Sequence, residues 1–207
     1  MPSDIIGFVG ELNRRIGDDI MSENYSNYSK KKETLIKVCI SAMLAALICV
    51  ATMLIQIPSP LGGYVNFGDC FILIAAWILG PVYGFAAGGI GSALADLFTG
   101  YAHYIPGTFL IKGLMAVAAA LILRAFANKS EKFKTAGFIT GGITAEAIMV
   151  AGYYLYAAVF LGKGFLVALD SVPGNVVQGV LGIIIGLVVI EILAKSGVVR
   201  KYTPFSL

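Results

Sequence analysis

The sequence predicts an all-α, polytopic membrane protein with six transmembrane helices and both termini in the cytoplasm. Three observations carry that expectation: a composition too apolar for water, a series of apolar runs of membrane-crossing length, and basic residues confined to alternate connections. Of the 207 residues, 58% are hydrophobic and only 13% charged, and mean hydropathy is +0.85. Soluble domains carry roughly a quarter charged residues, so this chain lacks the polar surface to stay dissolved. A formal net charge of +3 is too small to imply nucleic acid.

A helix that crosses about 30 Å of hydrocarbon needs roughly 20 apolar residues. The first run, from Leu35 to Ile57, stops at Pro58-Ser59-Pro60. A short second run covers Phe67 to Leu79, and a third covers Val82 to Phe98. Gly80-Pro81 separates them, because proline lacks an N–H and disfavours helix in the residue before it. The fourth run is Ile105 to Phe126, the fifth Thr135 to Leu161 and the sixth Val172 to Ala194.

Charge sets the orientation. Lys30, Lys31, Lys32 and Lys37 precede or open the first run, Arg124, Lys129, Lys132 and Lys134 lie around the fourth connection, and Lys195, Arg200 and Lys201 follow the last. The other connections hold Lys163 alone. Basic connections stay cytoplasmic, which puts both termini inside and agrees with an even number of spans. The expected division is a cytoplasmic segment 1–34, a six-helix membrane domain 35–194 and a cytoplasmic tail 195–207.

Two readings fit the first twenty residues. Ile5, Ile6, Val9, Leu12 and Ile16 recur at helical spacing among charges, as in an interfacial amphipathic helix. Alternatively, translation starts at Met21, with an unstructured Ser-Glu-Asn-Tyr tail before the lysines. Small residues dominate two spans: Ser41, Ala42, Ala45 and Ala46 in the first, and Gly84/Gly88 and Ala87/Gly91/Ala95 in the third. Small side chains let helix backbones approach closely in lipid. The third span is expected to use them for internal packing, and the first for a partner subunit.

Ionisable and amide residues inside the apolar region mark function, since charge within a bilayer is costly. They are Asp96, Lys112, Glu146, Asn175 and Gln178. Asp96 and Lys112 are expected at similar depth, either as a structural ion pair or with Lys112 free to bind an acidic or carbonyl group. Glu146 lies near the middle of the fifth span, as a structural or a coupling residue. Asn175 and Gln178, three apart, share one helix face and offer donors and acceptors to a heteroaromatic ring. Trp77, Tyr64, Tyr101, Tyr104 and Tyr153 could stack on such a ring. His103 is expected to be a solvated loop residue. Cys39, Cys49 and Cys70 lack the paired spacing of a metal site. There is no G-x-x-x-x-G-K-[ST] phosphate loop, no H-E-x-x-H and a single histidine, so an enzyme is not expected. Neither a cofactor nor a metal is expected.

Several short motifs follow one another along the chain: Asn66-Phe67-Gly68-Asp69, Gly80-Pro81-x-Tyr83-Gly84-Phe85, Ala95-Asp96-Leu97 and Pro173-Gly174-Asn175-x-x-Gln178-Gly179. In this order, over Leu35 to Ala194, the chain resembles the substrate-binding S components of energy-coupling factor (ECF) vitamin transporters, with the closest likeness to the riboflavin-type group. That group also includes proteins for hydroxymethylpyrimidine, pyridoxine-like and pantothenate substrates. The resemblance implies a binding subunit of an ATP-driven importer in the bacterial plasma membrane. Its partners would be a transmembrane coupling subunit and two cytoplasmic ATPases, which explains the missing phosphate loop. By position, Lys112, Tyr153, Asn175 and Gln178 would line the pocket, with Asp96 and Trp77 counted among the substrate contacts. Pro60 to Asn66, including Tyr64 and Asn66, would form the lid, and Ala42 and Ala46 the docking face. The alternative from another class is an autonomous proton-coupled carrier of a small nutrient.

Overall fold

The structure, a computed structural model, describes residues 2–54, 56–58, 64–126 and 129–196. Two units are distinguished, Met1–Cys39 and Ile40–Leu207. Helix α1 is Pro2–Leu54. Its stretch from Met21 contains neither Gly nor Pro, so helix runs through the tail that the second of the two readings above left unstructured. Lys37 there bonds Glu33 one turn earlier at 2.6 Å, a spacing that supports an exposed helix.

In the second unit the chain leaves α1 into a short antiparallel pair, β1 (Ile57–Pro58) and β2 (Tyr64–Val65). Helix α2 follows (Gly68–Phe98), then a single 3-10 turn at Ala102–Tyr104 and α3 (Ile105–Phe126). Helix α4 (Glu131–Leu155) ends in a π turn at Tyr156–Phe160. The one-turn helix α5 (Phe165–Ala168) leads to α6 (Ser171–Lys195). Pro173 falls in the first turn of α6, where a missing N–H costs nothing.

Among the described residues, five helices are long and apolar enough to cross a membrane, against the six expected. The difference lies in α2. Gly80 sits inside it at φ 80° and ψ −173°, a region open to glycine and closed to most side chains. There the helix folds back on itself. A Cβ on Gly84 would stand 3.0 Å from the Ala76 backbone, and one on Gly88 would stand 3.1 Å from the Ile72 side chain. In a straight helix those partners would be far apart, so Gly80-Pro81 makes a helical hairpin. At 1.5 Å per residue, limb 68–79 is about 18 Å long and limb 81–98 about 27 Å. The break expected from the sequence is therefore present, but the first limb is shorter than a full crossing.

Glycines let the hairpin pack tightly against its neighbours. Gly91 lies against α1, where a Cβ would approach the Ala45 carbonyl oxygen to 2.5 Å, and Gly88 lies against the Lys112 carbonyl of α3. Ala87 and Ala95 are fully buried on the same limb. The small residues of this limb thus serve internal packing, as expected. The core is built around limb 68–79 with α3 and α4, and includes Ile72, Leu73, Trp77, Met115, Leu123 and Met149.

Candidate functional site

The site starts where β2 gives way to α2. Asn66 accepts the Gly68 N–H on its side-chain oxygen at 2.9 Å, and its own backbone N–H donates to the Gln178 amide oxygen at 2.8 Å. The Gln178 amide nitrogen then donates to Oδ2 of Asp69 at 2.6 Å. The other oxygen of Asp69 accepts a hydrogen bond from the Lys112 ammonium. Asp69 is 0% exposed, and Lys112 and Gln178 are each 2% exposed. Three elements, α2, α3 and α6, thus converge on one buried ion pair and one amide.

A buried ion pair holds only if its remaining hydrogen-bonding capacity is met. Asp69 meets that condition, because each carboxylate oxygen has a donor. Lys112 gains a second electrostatic partner, the Tyr153 ring, whose centroid is 5.4 Å from Nζ. The Tyr153 hydroxyl donates to Thr108 at 3.1 Å, which fixes the ring. Glu146 arrives from α4 beside the pair. Its carboxyl is wedged against the glycine face of α6, with Oε2 at 3.1 Å from the position a Cβ would take on Gly179 and Oε1 at 3.1 Å from that on Gly182. Asp69 also borders Gly182.

Toward the connection between α2 and α3 the site continues as a column of rings. Tyr153 lies 6.4 Å from Tyr104, and Tyr104 is 4.8 Å from the exposed His103 and 6.0 Å from Tyr156. Lys163 donates to the Tyr104 hydroxyl at 3.2 Å, flanked by Gly162 and Gly164 at positive φ. Tyr156 donates to the His103 carbonyl at 2.9 Å, tying the end of α4 to the connection before α3.

The residues expected at the site divide accordingly. Lys112, Gln178, Tyr153 and Asn66 come together. Asn175 is half-buried one turn before Gln178 on α6. Lys112 pairs with Asp69 and not with Asp96, the partner in one of the two readings above. The register explains the change: Gly88 packs on the Lys112 backbone, and Asp96 lies eight residues further along, about 12 Å at the helical rise. Trp77 sits fully buried in the hydrophobic core, edge-on to Phe138 at 5.0 Å. Ala42 and Ala46 are exposed on α1, while Ser41 and Ala45 on the adjacent face are buried. The lid stretch Pro60 to Gly63 and the Tyr64 side chain lie outside the described residues. Asp69 was the residue the sequence reading left unassigned. It stands at the second position of α2 and reads as a helix-boundary residue, although it is a carboxylate inside an apolar run.

The family model described as "ECF-type riboflavin transporter, S component" matches residues 32–195. The chain belongs to that family. A protein of Pyrococcus woesei described as "Uncharacterized protein in gap 3'region" is 41% identical over 140 residues, 67% of this chain and 88% of the relative. The thiamine precursor transporter HmpT of Lactococcus lactis subsp. cremoris (strain MG1363) is 23% identical over 168 residues, 80% of this chain and 92% of that one. A solved structure titled "Structure and mechanism of the S component of a bacterial ECF transporter" superposes with a TM-score of 0.58 at 23% identity, over 80% of this chain and 97% of the other. This S component is thus a multi-pass membrane protein of a transporter family, and that family is not one of enzymes.

Proposed function

We propose that the chain is the substrate-binding, non-catalytic subunit of an ATP-driven ECF-type importer in a cell membrane, taking up a vitamin or vitamin precursor. The substrate class is the one the riboflavin-type resemblance implies: riboflavin, hydroxymethylpyrimidine, or a pyridoxine-like or pantothenate compound. The observation that carries this reading is the buried cluster of Asp69, Lys112 and Gln178 within a chain of this family. In this reading domain 35–194 holds six membrane segments, the α2 hairpin supplying two of them with its first limb reaching only part of the way across, both termini lie in the cytoplasm, and the cluster lies in the outward half. The basic residues on alternate connections support that orientation.

Capture rests on a few polar contacts inside aromatic walls, the usual build of a small-molecule site. Lys112, Asn175 and Gln178 supply those contacts, Tyr153 stacks on the ligand and Asp96 completes the proposed set, whereas Trp77 belongs to the core against Phe138. The stretch Pro60 to Asn66, with Tyr64, closes over the ligand, and the Asn66–Gln178 bond anchors its end. Exposed Ala42 and Ala46 on α1 meet the transmembrane coupling subunit. Two cytoplasmic ATPases supply the energy.

Uptake assays in proteoliposomes test the reading. Transport of a B-group vitamin should require the coupling subunit and ATPases and should survive an uncoupler. Uptake by the chain alone, abolished by the uncoupler, would overturn it in favour of a proton-coupled carrier.

A further inference from the structure

Glu146 is 5% exposed, and neither of its carboxyl oxygens meets a hydrogen-bond donor. The charged groups facing it are Asp69 from α2 and Lys112 from α3. On the α6 side it meets Gly179 and Gly182, which carry no side-chain donor, and whose amides lie within the helix. Its remaining edge borders a groove of about 460 Å³ between α4 and α6 whose other walls, including Ile143, Val150, Val176, Val180 and Ile183, are apolar apart from Tyr154. The neighbouring Cys70 thiol is committed to the Phe67 carbonyl at 3.1 Å.

The local charge count is then decisive. Asp69 has a donor on each oxygen, Lys112 on one and Gln178 on the other, so it is the ionised carboxylate and Lys112 is its counter-ion. A second ionised carboxylate would stand buried, undonated and next to a like charge, which is far costlier than holding a proton. We infer that Glu146 carries a proton and forms the neutral half of a carboxyl–carboxylate pair with Asp69, positioning Asp69 for Lys112 and Gln178. The proton comes from water, and the cluster as a whole is neutral. Glu146 is a positioning residue, acting on the site through Asp69.

Infrared spectroscopy of the full chain in bilayers reads the proton directly. At neutral pH, the expected spectrum holds a protonated-carboxyl carbonyl band that shifts when glutamate side chains are labelled with carbon-13. Aspartate labelling should leave that band in place. The band should vanish in Glu146→Gln and persist in Glu191→Gln, an exposed control paired with Lys195. The amide of Glu146→Gln can still donate to Asp69, so that variant should melt close to the unmodified protein and well above Glu146→Ala. Absence of a protonated-carboxyl band at neutral pH would overturn the inference, as would a band that follows the aspartate label. Isotope labelling needs no variant, so the result stands even if a substitution prevents folding.

Discussion

Asp69 and Lys112 depend on each other because neither has water to fall back on. Removing one partner of a buried pair leaves an uncompensated charge, at a cost of about 3–5 kcal/mol. Thermal unfolding of Asp69→Ala or Lys112→Ala should therefore show a large loss of stability. The double replacement Asp69→Leu with Lys112→Met should recover much of it, because both charges then leave together. Tyr153→Phe should matter less, at about 1 kcal/mol for the bond to Thr108, while keeping the ring beneath the ammonium. At this scale the sequence was legible for Lys112, Gln178 and Tyr153, whose polarity or ring chemistry stands out within apolar spans. It was not legible for Asp69, since position alone cannot separate a helix-start carboxylate from a buried counter-ion. The partner of Lys112 depended on helix register, which spacing along one strand of sequence does not contain.

Among the elements, the α2 hairpin carries the most information per residue. Gly80 takes a left-handed φ that a Cβ resists, so Gly80→Ala should cost about 1–3 kcal/mol without changing the residues that line the cluster. Gly91→Leu should cost a similar amount by overpacking against Ala45 and Ile48. Melting temperature in matched detergent checks both. The Gly80-Pro81 break was readable beforehand because proline chemistry is local. The fold-back was not, because a helix break fixes a boundary and leaves the direction of the next limb to packing. Helix α3 began and ended where the apolar run did, and α6 matched to within a residue at each end, since the extent of an apolar run is local too. The end of α4 in a π turn had no sequence signal.

For the molecule as a whole, the family and the buried cluster meet in one expectation: selective retention of a small vitamin-like ligand without chemistry performed on it. The docking face can be separated from binding. Ala46→Trp should weaken association with a coupling subunit in co-purification while leaving ligand retention unchanged, because Ala46 is exposed on α1 and plays no part in the cluster. Native mass spectrometry of the purified full chain against a panel of B-group vitamins and precursors probes the binding role most directly. The expected result is one compound retained at one per chain, with retention lost in Asn175→Ala and kept in Ala46→Trp. Retention of no compound by a folded protein, or equal retention of every compound on the panel, would contradict it.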